Sequence, residues 1–182
     1  KSGLWPSLRR RPFSKIAIPH SPPKSIFIST MSTAPFAANL EVVLEQTKQE
    51  IIQAGIDALK FLTNGSINMV SPQNLSNTKL TNLNNVQQHT YSGPHPAGNI
   101  GVHVSQIDPI KNKEDSIWYI SIQDLISIGK LFLTGKVDYR KIITVAGSAV
   151  SEKLHYTVNR GTLISQILSN NKVEEDARII SG

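Results

Sequence analysis

The sequence has no cysteine, few aromatic residues and no long apolar run, and each shortage excludes a class of protein or site. Without cysteine, the 182 residues contain no disulfide, no cysteine-ligated zinc or iron–sulfur centre and no thiol nucleophile. No segment approaches the about 20 apolar residues of a membrane-spanning helix, since acids and lysines interrupt the best candidate, residues 40–62. The hydrophobic content of 39% still suffices for a packed core.

Glycine-rich nucleotide loops are also missing. A dinucleotide site needs G-x-G-x-x-G between a strand and a helix, so that backbone amides reach the pyrophosphate. After the predicted strand 25–29 the chain instead has M-S-T-A-P. Gly98-x-x-Gly101 follows a proline-rich loop and is not predicted to begin a helix. We therefore expect no nucleotide or flavin on this chain.

The titratable residues form no obvious catalytic or metal site. No two histidines have the i,i+4 spacing of a metal site, and His103, alternating with two valines, is predicted to be an ordinary strand residue. His95 is the exception because it lies between Pro94 and Pro96, which restrict the backbone and present the imidazole at a low entropic cost. A purely structural turn is the alternative.

The net charge of +6 belongs to the N-terminal arm. Six cations precede the first acid, Glu41, whereas later residues are balanced; the six are Lys1, Arg9, Arg10, Arg11, Lys15 and Lys24. With five prolines, residues 1–24 are predicted to be an extended, basic connector. It suits phosphate, anionic lipid or an acidic partner, with a solvated linker as the alternative, and we expect no nucleic-acid partner.

Residues 25–140 are predicted to form an α/β domain with a parallel sheet. Strands are expected at 25–29, 67–70, 88–91 and 117–120. One helix is predicted over 40–62, capped by Asn39, and another from the Ser121–Asp124 capping box to Gly135. Residues 141–182 predict two strands, a short helix at 161–168 and a strand at 177–180, the order of a truncated β-grasp module.

Several segments resemble the A subunit (NqrA) of the sodium-translocating NADH:quinone reductase family, in one collinear match across the chain. They are S-G-L-W at 2–5, R-P-F-S-K at 11–15, G-P-H-P-A-G at 93–98, Q-D-L-I-S-I-G-K-L-F at 123–132 and A-G at 146–147. The resemblance implies an internal fragment with a Rossmann-like domain similar to the flavoprotein subunit of complex I, then a small β-grasp domain of the SLBB type. The missing glycine-rich flavin loop departs from complex I.

The resemblance implies a function without a bound redox cofactor. The NqrA subunit of that family lies peripherally on the cytoplasmic side of the bacterial inner membrane, with ubiquinone as substrate and other subunits, notably the membrane-embedded B subunit, as partners. NADH, FAD, FMN, riboflavin and a 2Fe-2S centre belong to the complex, whose activity is sodium-transporting NADH:ubiquinone oxidoreduction. We expect the fragment alone not to be catalytic.

The family's quinone-associated segment corresponds to residues 8–15. There Leu8 and Phe13 offer apolar walls, while Arg9, Arg11 and Lys15 suit a reduced, anionic quinone head; His95 completes the predicted site. An arm that only docks on a neighbouring subunit is the alternative. Two other classes remain open, namely a cofactor-free interaction module and the C-type subunit of an Rnf electron-transport complex.

Overall fold

A computed structural model describes residues 2–169 and 171–181, which form two compact units. The first contains the residues up to 34 and residues 39–138, and the second contains Pro35–Ala38 and the residues from 139. The strands are β1 (Arg9–Arg11), β2 (Lys15–Ile16), β3 (Ser25–Ser29), β4 (Ser66–Pro72), β5 (Gln87–Tyr91), β6 (Ile117–Ser121), β7 (Arg140–Val145) and β8 (Leu154–Asn159). The helices are α1 (Leu40–Glu45), α2 (Gln49–Lys60), α3 (Ile100–Ile107), α4 (Ile122–Thr134) and α5 (Ile164–Ile167).

The first unit is built on a mixed six-stranded sheet with the order β2-β1-β6-β3-β4-β5. Strands β3 to β6 are parallel, whereas β1 runs antiparallel to β6 and β2 antiparallel to β1. The central strand β3 is an almost fully buried apolar run, as expected for a strand covered on both faces. Its neighbours are β4 and β6, so the strand order changes direction at β3.

Helices cover both faces of this sheet. On one face, Phe27, Val70 and Ile117 form a buried cluster with Val104 of α3. The alternate strand residues, such as Ile26 and Ile28, are buried on the opposite face. There α2 and α4 cross closely. Among the described residues, no helix combines the length and the apolar composition needed to cross a bilayer.

The N-terminal segment is not the extended connector predicted for residues 1–24. Its strand β1 pairs with β6, placing Arg9 opposite Tyr119 and Arg11 opposite Ile117. Trp5 makes an edge contact with Trp118 at 5.7 Å between ring centroids. The reason is long-range pairing: the prolines lie outside β1 and β2, where no strand hydrogen bond is lost. Lys1 is outside the described residues.

Two helices also differ from the predictions. The single helix expected over residues 40–62 is divided into α1 and α2, and the Lys79 Nζ donates to the Leu44 carbonyl at the end of α1 (2.7 Å). Helix α3 forms where no helix was predicted, so Gly101 lies in a first helical turn and His103 is helical. The valines around His103 alternate as in a strand, but Ile100, Val104 and Ile107 have helical spacing and pack on the sheet.

The second unit contains an antiparallel pair, β7 and β8, followed by the short helix α5. The predicted hairpin is confirmed. No strand forms at residues 177–180, where Ile180 is 78% exposed and no described strand pairs with the segment. The described part of this unit therefore has the order β-β-α, and its long C-terminal segment begins at Tyr139 instead of residue 141.

Candidate functional site

The candidate site begins at the β1–β2 hairpin. Arg9 pairs with Ile16 and Arg10 with Lys15, and residues 12–14 form the turn. The φ angles of Phe13 and Ser14 are 73° and 50°, a left-handed conformation that side chains larger than glycine rarely adopt. The Phe13 side chain is 81% exposed. The hairpin thus holds an aromatic ring in solvent on a strained turn.

Arg11 points from this hairpin toward α3. Its guanidinium carbon lies 5.8 Å from the centre of the Tyr119 ring, a cation–π contact. A terminal guanidinium nitrogen would stand 3.3 Å from a Cβ on Gly101, the second residue of α3. The Tyr119 hydroxyl donates to Ser14 Oγ at 3.1 Å and so ties the ring to the hairpin. Gly101 leaves the room that the Arg11 side chain fills.

The beginning of α3 and Arg11 both favour a negative charge. No acid lies in the first turn of α3, and its N-cap, Asn99, makes no capping bond with its side chain. A helix N-terminus carries a partial positive charge. Among residues 2–169 and 171–181, Lys24 forms ion pairs with Asp108 and Asp115, and Lys130 forms one with Asp138. None involves Arg9, Arg10, Arg11 or Lys15, so the charge of the hairpin is not neutralised within the described chain.

The His95 loop leads from β5 into the first turn of α3. Its exposed His95 Nδ1 lies 3.3 Å from the Thr33 hydroxyl, which accepts a hydrogen bond from the Gly98 amide at 3.0 Å. A Cβ on Gly98 would stand 2.7 Å from the Thr33 amide nitrogen, so the two loops are in direct contact. His95 is therefore held at the carboxyl edge of the parallel strands, against the loop that follows β3.

A second histidine fixes the other end of this loop. His103 is fully buried, its ring centroid lies 4.8 Å from that of Tyr91, and its Nε2 is 2.7 Å from the Ala97 carbonyl oxygen. Because a carbonyl only accepts, Nε2 carries the proton, and the buried Nδ1 has no hydrogen-bond partner among the described residues. Burial lowers the pKa of His103, and the bond to Ala97 opposes part of this effect. Sequence analysis missed this structural role because it assigned His103 to a strand. The helical spacing of Ile100, Val104 and Ile107 is the signal that would have indicated it.

The six predicted site residues do not form one cluster. Leu8 is 2% exposed and belongs to the core, so it anchors β1 and has no surface to offer a ligand. Arg9, Phe13 and Lys15 are exposed on the hairpin. The turn follows Arg11, which pairs with the first residue of β6, so Phe13 projects at the amino edge of the parallel strands, opposite to His95. Only Arg11 reaches α3, the element that the His95 loop begins.

The described residues contain no cluster of metal ligands and no glycine-rich loop after β3. Among them, no three histidine, aspartate or glutamate side chains lie close enough together to hold a metal ion. The loop after β3 has no glycine, and its Thr33 is already in contact with Gly98. A pyrophosphate needs the close backbone approach that glycine allows, which this loop does not offer.

Comparisons with known proteins identify the family. Residues 1–137 match the family model described as the NqrA second alpha/beta domain. Proteins named as the A subunit of Na(+)-translocating NADH-quinone reductase are similar over the whole chain: 38% identical in Yersinia pestis bv. Antiqua (strain Angola) and Histophilus somni (strain 2336), and 36% in Pasteurella multocida (strain Pm70). The chain spans 40% of the length of these relatives. Since the family model covers most of the chain, the protein belongs to the NqrA family.

Proposed function

We propose that this chain is part of the A subunit of a sodium-translocating NADH:quinone reductase and contributes to its quinone site. The whole-chain similarity to proteins of that name supports the assignment. NADH oxidation and the flavin and 2Fe-2S chemistry would then belong to companion subunits; the lack of a metal-ligand cluster among the described residues and the close contact of Gly98 with Thr33 support this division. By itself the chain is not catalytic. Its partners are the other subunits, the B subunit in particular, at the cytoplasmic side of the bacterial inner membrane.

The fold supports a Rossmann-like origin for the first unit. Four parallel strands in the order β6-β3-β4-β5 change direction at β3, which is where doubly wound sheets bind ligands beyond the carboxyl ends of the strands. In this chain the Thr33–Gly98 contact lies at that edge. We propose that the fold was retained for assembly after the cofactor was lost. The β-β-α order of the second unit supports an SLBB-type β-grasp domain.

One observation supports the quinone site most directly: the guanidinium of Arg11 has no acidic partner within the described chain and lies against the first turn of α3. Electrons arriving at a quinone place negative charge on its oxygens. Arg11 and the α3 N-terminus would stabilise that charge by direct electrostatic attraction, more strongly in the reduced than in the oxidised head. Tyr119 supports Arg11 from its other side.

The other residues of the proposed quinone site contribute charge, apolar contact or structural support. Arg9 and Lys15 add positive potential from the hairpin, and Phe13 offers an apolar contact to the quinone's ring or tail. Leu8 holds β1 in the core. His95, tied to Thr33, stands at the entrance of α3 on the carboxyl side.

The test uses the intact complex carrying Arg11→Gln or Phe13→Ala. Loss of a charge-assisted contact of about 2 kcal/mol would lower kcat/KM for ubiquinone about 30-fold in Arg11→Gln, mainly through kcat, because the contact is stronger to the reduced head. NADH oxidation with an artificial electron acceptor should not change. Matched controls are Arg178→Gln and Phe61→Ala, exposed residues outside the hairpin. Unchanged KM and turnover in both hairpin variants would refute the quinone role, and loss of the NqrA chain from the purified complex would indicate a docking arm instead.

A further inference from the structure

The turn of the β1–β2 hairpin exposes an apolar side chain that nothing in the described chain covers. Phe13 is 81% exposed, although the same hairpin buries Leu8 and Ala17 almost completely. Ile16 and Ile18, on either side of Ala17, are each 45% exposed. The left-handed φ angles of Phe13 and Ser14 show that the turn holds this arrangement against local strain. A rigidly displayed aromatic ring of this kind suits a partner outside the chain.

Cations surround the exposed ring. Arg9 shares one face of the hairpin with Ile16, while Arg10 and Lys15 share the other, so positive charge flanks the turn on both faces. Arg9 and Lys15 are exposed, and no ion pair of the described residues includes them. The chain has no acid before Glu41 that could neutralise them locally.

We propose that this hairpin binds the surface of a bilayer that contains anionic lipid. Phe13 would enter the headgroup region, where aromatic rings are favoured, and Arg9 and Lys15 would pair with lipid phosphates. An acidic protein surface would match the cations equally well. The bilayer is favoured because the turn exposes a phenylalanine and the segment after it exposes two isoleucines, Ile16 and Ile18. This inference is independent of the quinone site, since vesicles without quinone test it.

Depth can be measured with a single probe because the chain has no cysteine. Ser14→Cys carries a polarity-sensitive fluorophore at the turn beside the intact Phe13 ring, and Ser92→Cys, directly after β5, carries it at the opposite edge of the parallel strands. With phosphatidylcholine vesicles containing about 30% phosphatidylglycerol, we expect a blue shift at position 14 and none at 92. About 0.5 M salt should reverse it. No shift at position 14, or equal shifts at both positions, would overturn the proposal.

Charge is tested by vesicle co-sedimentation of the chain itself. Each cation near an anionic surface strengthens binding about fivefold, so Arg9→Gln/Lys15→Gln should weaken it about 25-fold. Lys48→Gln/Arg178→Gln lowers the net charge by the same amount at exposed positions outside the hairpin sequence and should change binding less than twofold. Equal losses of vesicle binding in the two double variants would show attraction by net charge alone and would refute the proposed hairpin site. Undiminished binding of the hairpin variant would also refute it. Circular dichroism verifies that the variants are folded.

Discussion

Gly129→Ala should destabilise the first unit, because α2 and α4 cross with their backbones in contact. A Cβ on Gly129 would overlap the Ile51 carbonyl oxygen and stand 3.1 Å from the Gly55 amide nitrogen. On the other side of the crossing, a Cβ on Gly55 would stand 2.8 Å from the Leu125 carbonyl oxygen. These obstacles are backbone atoms, so one helix must move as a body to admit a methyl group.

The expected loss of stability follows from two opposing effects. Replacing glycine by alanine inside a helix gains about 1 kcal/mol of helix propensity. Overpacking a close contact costs about 1–3 kcal/mol, and the overlap with the Ile51 carbonyl places Gly129 at or beyond the upper end. We expect a net loss of about 2 kcal/mol or more in the free energy of unfolding. At roughly 4 °C per kcal/mol, Tm would fall by about 8 °C.

Denaturation followed by tryptophan fluorescence reports on this unit, since both tryptophans, Trp5 and Trp118, lie in it. Gly101→Ala is the matched control: it is also a helical glycine, but its added Cβ meets only the end of the Arg11 side chain, at 3.3 Å. That variant should be as stable as the parent chain or up to about 1 kcal/mol more stable. If Gly129→Ala behaved like this control, the close crossing would be wrong.

Two further predictions concern His103 and a helix cap. Burial holds the pKa of His103 below that of the unfolded chain, about 6.5, so the unfolded state takes up a proton first as the pH falls. Stability should therefore decline below about pH 6.5, by at most about 1.4 kcal/mol per pH unit for this group. Urea titrations from about pH 8 to 5 should show a smaller dependence of stability on pH in His103→Gln. Part of the dependence should remain in that variant, because burial also lowers the pKa of His89. Ser121→Ala removes the hydrogen bond that caps the Asp124 amide (3.2 Å) and should lower the free energy of unfolding by about 1 kcal/mol. Ser121→Thr keeps a hydroxyl and should retain most of that stability. Equal losses in the two variants would contradict the capping role.

Local signals predicted the parallel core correctly, together with the start of α1 and both ends of α4. Strand β3 was predicted with its observed bounds because a short run of β-branched and aromatic residues indicates a strand even when the strands that pair with it are unknown. The caps at Asn39 and Ser121 and the left-handed Gly135 at the end of α4 are likewise local chemistry. Arg11 was named as a site residue from the family resemblance and His95 from its flanking prolines, but their separation across the sheet depends on the strand order, which neither signal contains.

The remaining features depend on residues distant in sequence. Arg9–Arg11 becomes a strand through pairing with residues more than 100 positions later, and nothing in a proline-rich basic segment signals that partner. The segment around His103 fits strand alternation and helical spacing equally well over a few residues, and packing on Phe27 decides between them. Residues 177–180 have strand composition, but no described strand pairs with them.

The strand β1 gives three consecutive arginines different surroundings, which a linker would not. Pleating places Arg9 and Arg11 on the face covered by α3 and Arg10 on the face of Trp118. Of the two on the α3 face, Arg11 is half-buried beside Gly101, where the glycine leaves space, whereas Arg9 stays exposed. The same basic strand therefore presents Arg11 inward, where it suits a small anionic head, and Arg9 outward, where it suits an extended anionic surface. This division follows from the antiparallel register with β6 and not from the net charge of the segment.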